Sequence, residues 1–381
     1  MKRVNYKSII LSITLLSSVS LLNAQEKVAS DKLPDWALGE FIRPDGKNPI
    51  ITPNSESVFY CPVYKKIVKW EENDTFNPAA AIKNGKICVL YRAEDASGIG
   101  IGQRTSRIGY AESKDGIKMK RRHKPVLYPG KDIAEEFDSP GGCEDPRITQ
   151  TEDGLYVMFY TGNNKKNARL CVATSKDLIN WQKYGLAFGK AYDGRFSNTW
   201  SKSAAILTEL KDGKQVITKI DGKYFMYWGE FETYAATSDD LINWYPVLDD
   251  NGSLKVIAQK RKGYFDSELV ECGPSALLTD KGILLLYNGK NSNDPNVADT
   301  NYPLGTYSAG QLLLDKNNPF RVIDRLDVPF FYPQEPFEKS GQYKDGTVFI
   351  EGLVYFKNKW FLYYGCADSK VGVAIYEPKI E

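Results

Sequence analysis

The stretch Asn84-Gly85-Lys86-Ile87-Cys88-Val89-Leu90-Tyr91-Arg92 decides the fold, because its design returns four more times along the chain. Each time, a tight Gly or Asn turn leads into an apolar-aromatic run that ends in Tyr or Trp. The next copies are Asp153-Gly154-Leu155-Tyr156-Val157-Met158-Phe159-Tyr160 and Asp221-Gly222-Lys223-Tyr224-Phe225-Met226-Tyr227-Trp228. Lys281-Gly282-Ile283-Leu284-Leu285-Leu286-Tyr287 and Lys357-Asn358-Lys359-Trp360-Phe361-Leu362-Tyr363-Tyr364 complete the set. Asn-Gly and Asp-Gly pairs suit two-residue hairpin turns, and β-branched and aromatic residues suit a pleated strand. The copies recur roughly every 60–75 residues, room enough for a four-stranded unit with its loops.

A second strand of small and apolar residues follows most copies, as in Ile108-Gly109-Tyr110-Ala111, Leu170-Cys171-Val172-Ala173-Thr174 and Val371-Gly372-Val373-Ala374. Two near-identical turns come next, from Ser175 to Trp181 and from Ser238 to Trp244. No amphipathic helix separates the units. A β-sandwich or a pair of all-β domains would also use alternating strands, but neither would give a countable repeat. The pattern therefore predicts an all-β, five-bladed β-propeller. No Pro/Ser linker interrupts it, so residues 25–381 read as one domain.

Lys2, Arg3 and Lys7 precede a serine-diluted apolar run from Ile9 to Leu22, followed by Asn23-Ala24-Gln25. Residues 1–24 thus read as a secretory signal peptide, and the mature chain as periplasmic or extracellular. The run is shorter than the about 20 apolar residues of a membrane span, so no membrane insertion is expected. Removing three cations takes the formal charge from +2 to about −1, which offers nothing to nucleic acid. The six cysteines lack the spacing of a small disulfide scaffold and read as buried thiols, with one bridge the alternative. His123 is the only histidine, which sets aside Ser-His-Asp and Cys-His catalysis unless His123 itself serves, and His-rich zinc sites. No metal or cofactor motif is present, although a carboxylate-rich channel can bind calcium. Oligomeric state is not legible. What remains in abundance is carboxylate chemistry.

In a propeller the innermost strands bring their ends to one mouth of a central channel. Polar residues that interrupt or follow the repeat are therefore the candidates: Asn77, Arg92 and Asp95, then Glu144, Asp145 and Arg147. Lys202 and Glu230, Glu268 and Glu271, and Glu351 and Asp368 occupy corresponding places further on. The densest group is Gly141-Gly142-Cys143-Glu144-Asp145-Pro146-Arg147-Ile148. Its glycines let the backbone approach a ligand, and its proline fixes the turn. Arg147 can hold one carboxylate ionised while burial raises the pKa of the other. Glycoside chemistry asks for such a protonated carboxyl beside groups that grip hydroxyls.

These residues resemble glycoside hydrolase family 130, a family of five-bladed propellers that includes mannoside phosphorylases and β-mannosidases. The resemblance runs from Phe76-Asn77-Pro78 to Ala367-Asp368. It rests on the ordered set Asn77-Pro78, Tyr91-Arg92-Ala93, Ser106-Arg107-Ile108-Gly109, Glu144-Asp145-Pro146-Arg147, Ser201-Lys202, Gly273-Pro274 and Gly365-Cys366-Ala367-Asp368. It implies Asp145 as general acid, with Asn77, Arg92, Arg107, Lys202 and Asp368 lining a mannose subsite and Glu144 and Arg147 in support. In phosphorylase members the proton is relayed through a substrate hydroxyl.

The chain departs from the phosphorylase pattern where that pattern holds phosphate. A basic residue after Asp-Ser-x and a Tyr-His-Gly correspond here to Leu269 and Tyr287-Asn288-Gly289. A phosphate needs several charge-assisted donors, and Glu268 and Glu271 would repel it. The expected reaction is therefore inverting hydrolysis of a β-mannoside oligosaccharide. Its β-1,2 linkage is implied by resemblance to exported members. Glu230 and Glu268 together are expected to activate water, with Glu271 the substitute for Glu268. A phosphorylase releasing mannose 1-phosphate and a non-catalytic glycan-binding propeller are the alternatives.

Overall fold

The structure, a computed structural model, describes residues 32–378; the expected signal peptide lies outside the described residues. Residues 32–38 belong to a short separate unit, in which the Ala37 amide donates to the Pro34 carbonyl at 2.9 Å. From Gly39 onward the described chain is all-β, apart from single helical turns at Glu135–Asp138 and Pro336–Glu338.

Each copy of the repeat forms the second strand of an antiparallel run. Asp74–Lys83 pairs with Lys86–Glu94, and that with Ser106–Ser113. Gly142–Gln150, Tyr156–Asn163, Ala168–Ser175 and Gln182–Leu186 follow in order. Ala205–Lys211, Lys223–Trp228, Tyr234–Ser238 and Trp244–Pro246 make the next run. Ala276–Leu278, Ile283–Lys290, Tyr307–Asp315 and Asn318–Arg325 come after it. Val348–Phe356, Lys359–Cys366 and Lys370–Tyr376 form the last. There the N-terminal segment supplies the outer partner, through bridges from Ile42 to Ile375 and Ile51 to Val371. The hairpin signals behave as their chemistry requires. Asn84 and Gly85 have φ of 49° and 69°, and Asp221 and Gly222 have 49° and 77°, the left-handed pair of a type I′ turn.

The tyrosines that close the repeats are structural pins. The Tyr91 hydroxyl donates to Glu71 at 2.7 Å, where Arg121 also binds. Tyr287 does the same with Asp266 (2.7 Å) and Arg325, and Tyr364 with Glu338 (2.8 Å) and Arg43. Tyr160, Asp138 and Lys183 repeat the arrangement at 3.3 and 2.6 Å. In each case the acid precedes the run, the tyrosine sits on its second strand, and the cation comes from its outer side. The trio therefore ties three successive parts of one unit. Between runs, apolar side chains interleave, as where Phe159 and Phe188 meet Trp228 and Trp244. All six cysteines are buried free thiols.

Three innermost strands share a device that aims side chains inward. Their ladders slip between Phe76 and Pro78, between Glu144 and Arg147, and between Ile350 and Gly352. The residues expelled are Asn77, Asp145 with Pro146, and Glu351. Asn77 and Asp145 adopt positive φ, 45° and 48°. A bulge re-aims a side chain at one point, and a proline beside it gives up no ladder hydrogen bond. Left-handed backbone costs a non-glycine residue about 1–3 kcal/mol and persists where neighbours over-determine it.

Candidate active site

Asp145 sits at the centre of a web of cations and donors. Its Oδ1 accepts from Asn77 Nδ2 at 2.9 Å and from Arg92 Nη1 at 3.0 Å. Arg92 also reaches Glu94 (2.6 Å), Glu144 (3.1 Å) and the Ser106 hydroxyl (3.0 Å), so its guanidinium is fully engaged. Arg147 is equally occupied: it meets Glu351 at 2.8 Å and donates to the carbonyls of Asp145 and Cys272. Two glycines allow this crowding. A Cβ on Gly142 would lie 2.1 Å from the Ser106 carbonyl, and one on Gly365 would lie 2.3 Å from Asn77 Oδ1.

The charges decide which carboxyl stays ionised. Burial opposes ionisation of Asp145, but Arg92, Lys202, Arg147 and Asn77 outweigh it and hold the carboxyl well below its usual range. Burial pushes Glu144 up, against Arg92 and with help from Asp145. The Glu-Asp pair does split its proton affinities, but Glu144 is the raised member.

Opposite Asp145 lies an acid-rich half. Burial raises Glu271 to about 7, with Glu230 adding to the shift and Lys202 and Arg147 opposing it. The Ser203 hydroxyl donates to Glu271, and the indole of Trp200 donates to Glu230 Oε2 at 2.6 Å. Lys202 Nζ stands between the halves, 3.7 Å from Asp145 Oδ2 and 3.7 Å from Glu230 Oε1. Those two oxygens are therefore no further apart than twice that distance. Asp368 is also raised to about 7, by burial and then by Asp145 and Glu94 against Arg92 and Lys202.

Of the residues picked from sequence, Asn77, Arg92, Glu144, Asp145, Arg147, Lys202, Glu230, Glu271 and Asp368 come together. Arg107 and Asp95 do not. Arg107 is fully buried, donates to Asp95 at 2.8 Å and to Cys61 Sγ, and lies over the Phe59 ring. Strand alternation explains the correction: Ser106 faces Arg92, so its neighbour Arg107 faces the other way. The Glu268 amide donates to the Lys290 carbonyl at 2.8 Å, and its charge acts on Tyr343 beside that of Asp368; Glu271 shares the field of Glu230 and Lys202. Asn288 is buried and clamped to Ile350, donating to its carbonyl and accepting from its amide.

Sequence reasoning missed Glu94, Ser106, Ser203 and Trp200. Glu94 shares the strand face of Arg92 two residues away, a signal that was present. Trp200 lies in an irregular loop, where no periodicity marks it.

The family model for glycoside hydrolase family 130, described as beta-1,4-mannooligosaccharide phosphorylase, matches residues 54–380. A 1,2-beta-oligomannan phosphorylase of Thermoanaerobacter sp. (strain X514) is 33% identical, covering 87% of this chain and 95% of the relative. A glycosyl hydrolase structure from Bacteroides ovatus is 61% identical with a TM-score of 0.90, covering 92% of this chain and 96% of that one. A third relative is a structure reported as "The GH130 family of mannoside phosphorylases contains glycoside hydrolases that target beta-1,2 mannosidic linkages in Candida mannan". It is 60% identical with a TM-score of 0.90, covering 92% of this chain and 97% of that one. The matched span holds every bulge and carboxylate described above. This chain belongs to glycoside hydrolase family 130, and its architecture is β-propeller-like.

Proposed function

We propose that the protein is an exported inverting β-mannosidase acting on β-1,2-linked mannosides, built on five blades. One observation carries this reading: Glu230 and Glu271 face Asp145 across Lys202, while Arg92 and Arg147 are saturated by carboxylates and carbonyls. A site so arranged activates water more readily than it holds a dianion. The 60% identical structure reported with hydrolases of β-1,2 mannosidic linkages supports it, and the leader-like residues 1–24 support an exported address.

In this mechanism a sugar entering between Lys202 and Asp145 weakens the cation's hold, so the Asp145 carboxyl takes up a proton. Asp145 delivers that proton to the leaving oxygen, directly or through an adjacent sugar hydroxyl, as the glycosidic C–O bond breaks. A water attacks the anomeric carbon from the opposite face and gives its proton to Glu271. The Glu230 charge raises the affinity of Glu271 for that proton.

A second reading, phosphorolysis, is favoured by the curated relatives, named as phosphorylases at 33% and 30% identity. Lys202 is the cation that such an enzyme would turn toward phosphate. Incubation with β-1,2-mannobiose, with and without phosphate, decides between them. Hydrolysis predicts mannose alone at an unchanged rate; phosphate-dependent mannose 1-phosphate would overturn the primary reading.

A further inference from the structure

Trp200 is half exposed, at 50%, yet its indole N–H is committed to Glu230 Oε2 at 2.6 Å. Its loop is anchored on both sides of the ring: Asn167 Nδ2 donates to the Asn198 carbonyl, and the Ser201 amide to the Ala168 carbonyl. The indole is therefore held in place while much of its surface faces solvent. Phe231, the residue after Glu230, is 58% exposed. An indole fixed by its N–H beside a polar site presents a large apolar face with a polar edge, the combination an amphipathic ligand needs. A pyranose presents apolar C–H faces and hydroxyl edges, which match an aromatic face bordered by Glu230 and Lys202.

We propose that Trp200 is a positioning residue that couples substrate capture to the water-activating pair. Its ring forms the platform for a sugar of the incoming mannoside, and its N–H fixes the Glu230 carboxylate. The inference rests on the β-mannoside-cleaving reading but not on whether water or phosphate is the acceptor. The charge-assisted N–H···O⁻ bond orients Glu230, which acts on Glu271 in turn. Stacking contributes to affinity, and the hydrogen bond contributes to turnover.

Two variants separate these effects, with β-1,2-mannobiose as the probe. Trp200→Phe keeps an aromatic face and loses the donor: kcat should fall about tenfold with KM within about twofold of wild type. Trp200→Ala loses both: kcat should fall by a similar factor and KM should rise about tenfold. A Trp200 that only anchors its loop would lower the melting temperature of both variants and leave kcat and KM unchanged, overturning the proposal. An unchanged kcat in Trp200→Phe would also overturn it. If wild type cleaves no β-mannoside with or without phosphate, the functional reading fails instead. Calorimetric binding of mannobiose to Asp145→Asn, alone and combined with Trp200→Ala, then tests the platform by itself. Equal affinities would sink it.

Discussion

Asp145 and Glu271 are buried to the same degree, and both feel Lys202, yet their proton affinities move in opposite directions. Asp145 lies among Arg92, Lys202, Arg147 and the Asn77 amide, which overcome the cost of burying its charge. Glu271 has burial and Glu230 against ionisation, and the same lysine only moderates them. Burial supplies the size of the effect and the neighbouring charges supply its sign. A site that must give a proton on one side and take one on the other can be built from two ordinary carboxyls in this way.

The largest test of the contrast is Asp145→Asn, which should cut turnover by about 10²–10⁴-fold and leave mannobiose binding measurable by calorimetry. Arg92→Leu attacks the cationic half. With Glu94, Glu144 and Asp145 left short of their shared partner, urea unfolding should show a loss of about 3–5 kcal/mol. Glu271→Gln should lower kcat by about 10²-fold; adding Glu230→Gln should cost little more, because the pair acts as a unit. Strictly additive losses would separate the two residues.

The pH profile sharpens the comparison further. Glu271 must be ionised to accept a proton, and it is raised to about 7, so kcat/KM should fall as pH drops below about 7. Lys202 favours the ionised forms of both carboxyls, so Lys202→Met should move that acidic limb to higher pH. A limb that stays in place would mean that Lys202 does not set it. The smallest kinetic effect is expected from Asp95→Asn. Asp95→Asn should cost about 1–3 kcal/mol of stability with unchanged kinetics. A large kinetic loss in Asp95→Asn would return Arg107 and Asp95 to the site.

Much of the site was legible because the bulges carry local signatures. Asn77-Pro78, Asp145-Pro146 and Glu351-Gly352 each place a polar residue before one that interrupts a ladder. The turn pairs and the five apolar-aromatic runs announced the hairpins for the same reason. The error arose where two neighbouring polar residues competed and only strand parity could choose: Arg107 lost to Ser106.

Strand identity, hairpin turns and the set of carboxylates follow from residue chemistry within short windows, because backbone propensity and hydrophobic alternation are local forces. Which carboxyl is ionised, which arginine is already spent, and which tryptophan touches the base depend on side chains 30 to more than 200 positions apart, such as Trp200 with Glu230 and Arg147 with Glu351. Electrostatic energies sum over everything that folding brings near. Those properties therefore came into existence only when the strands closed around a common centre.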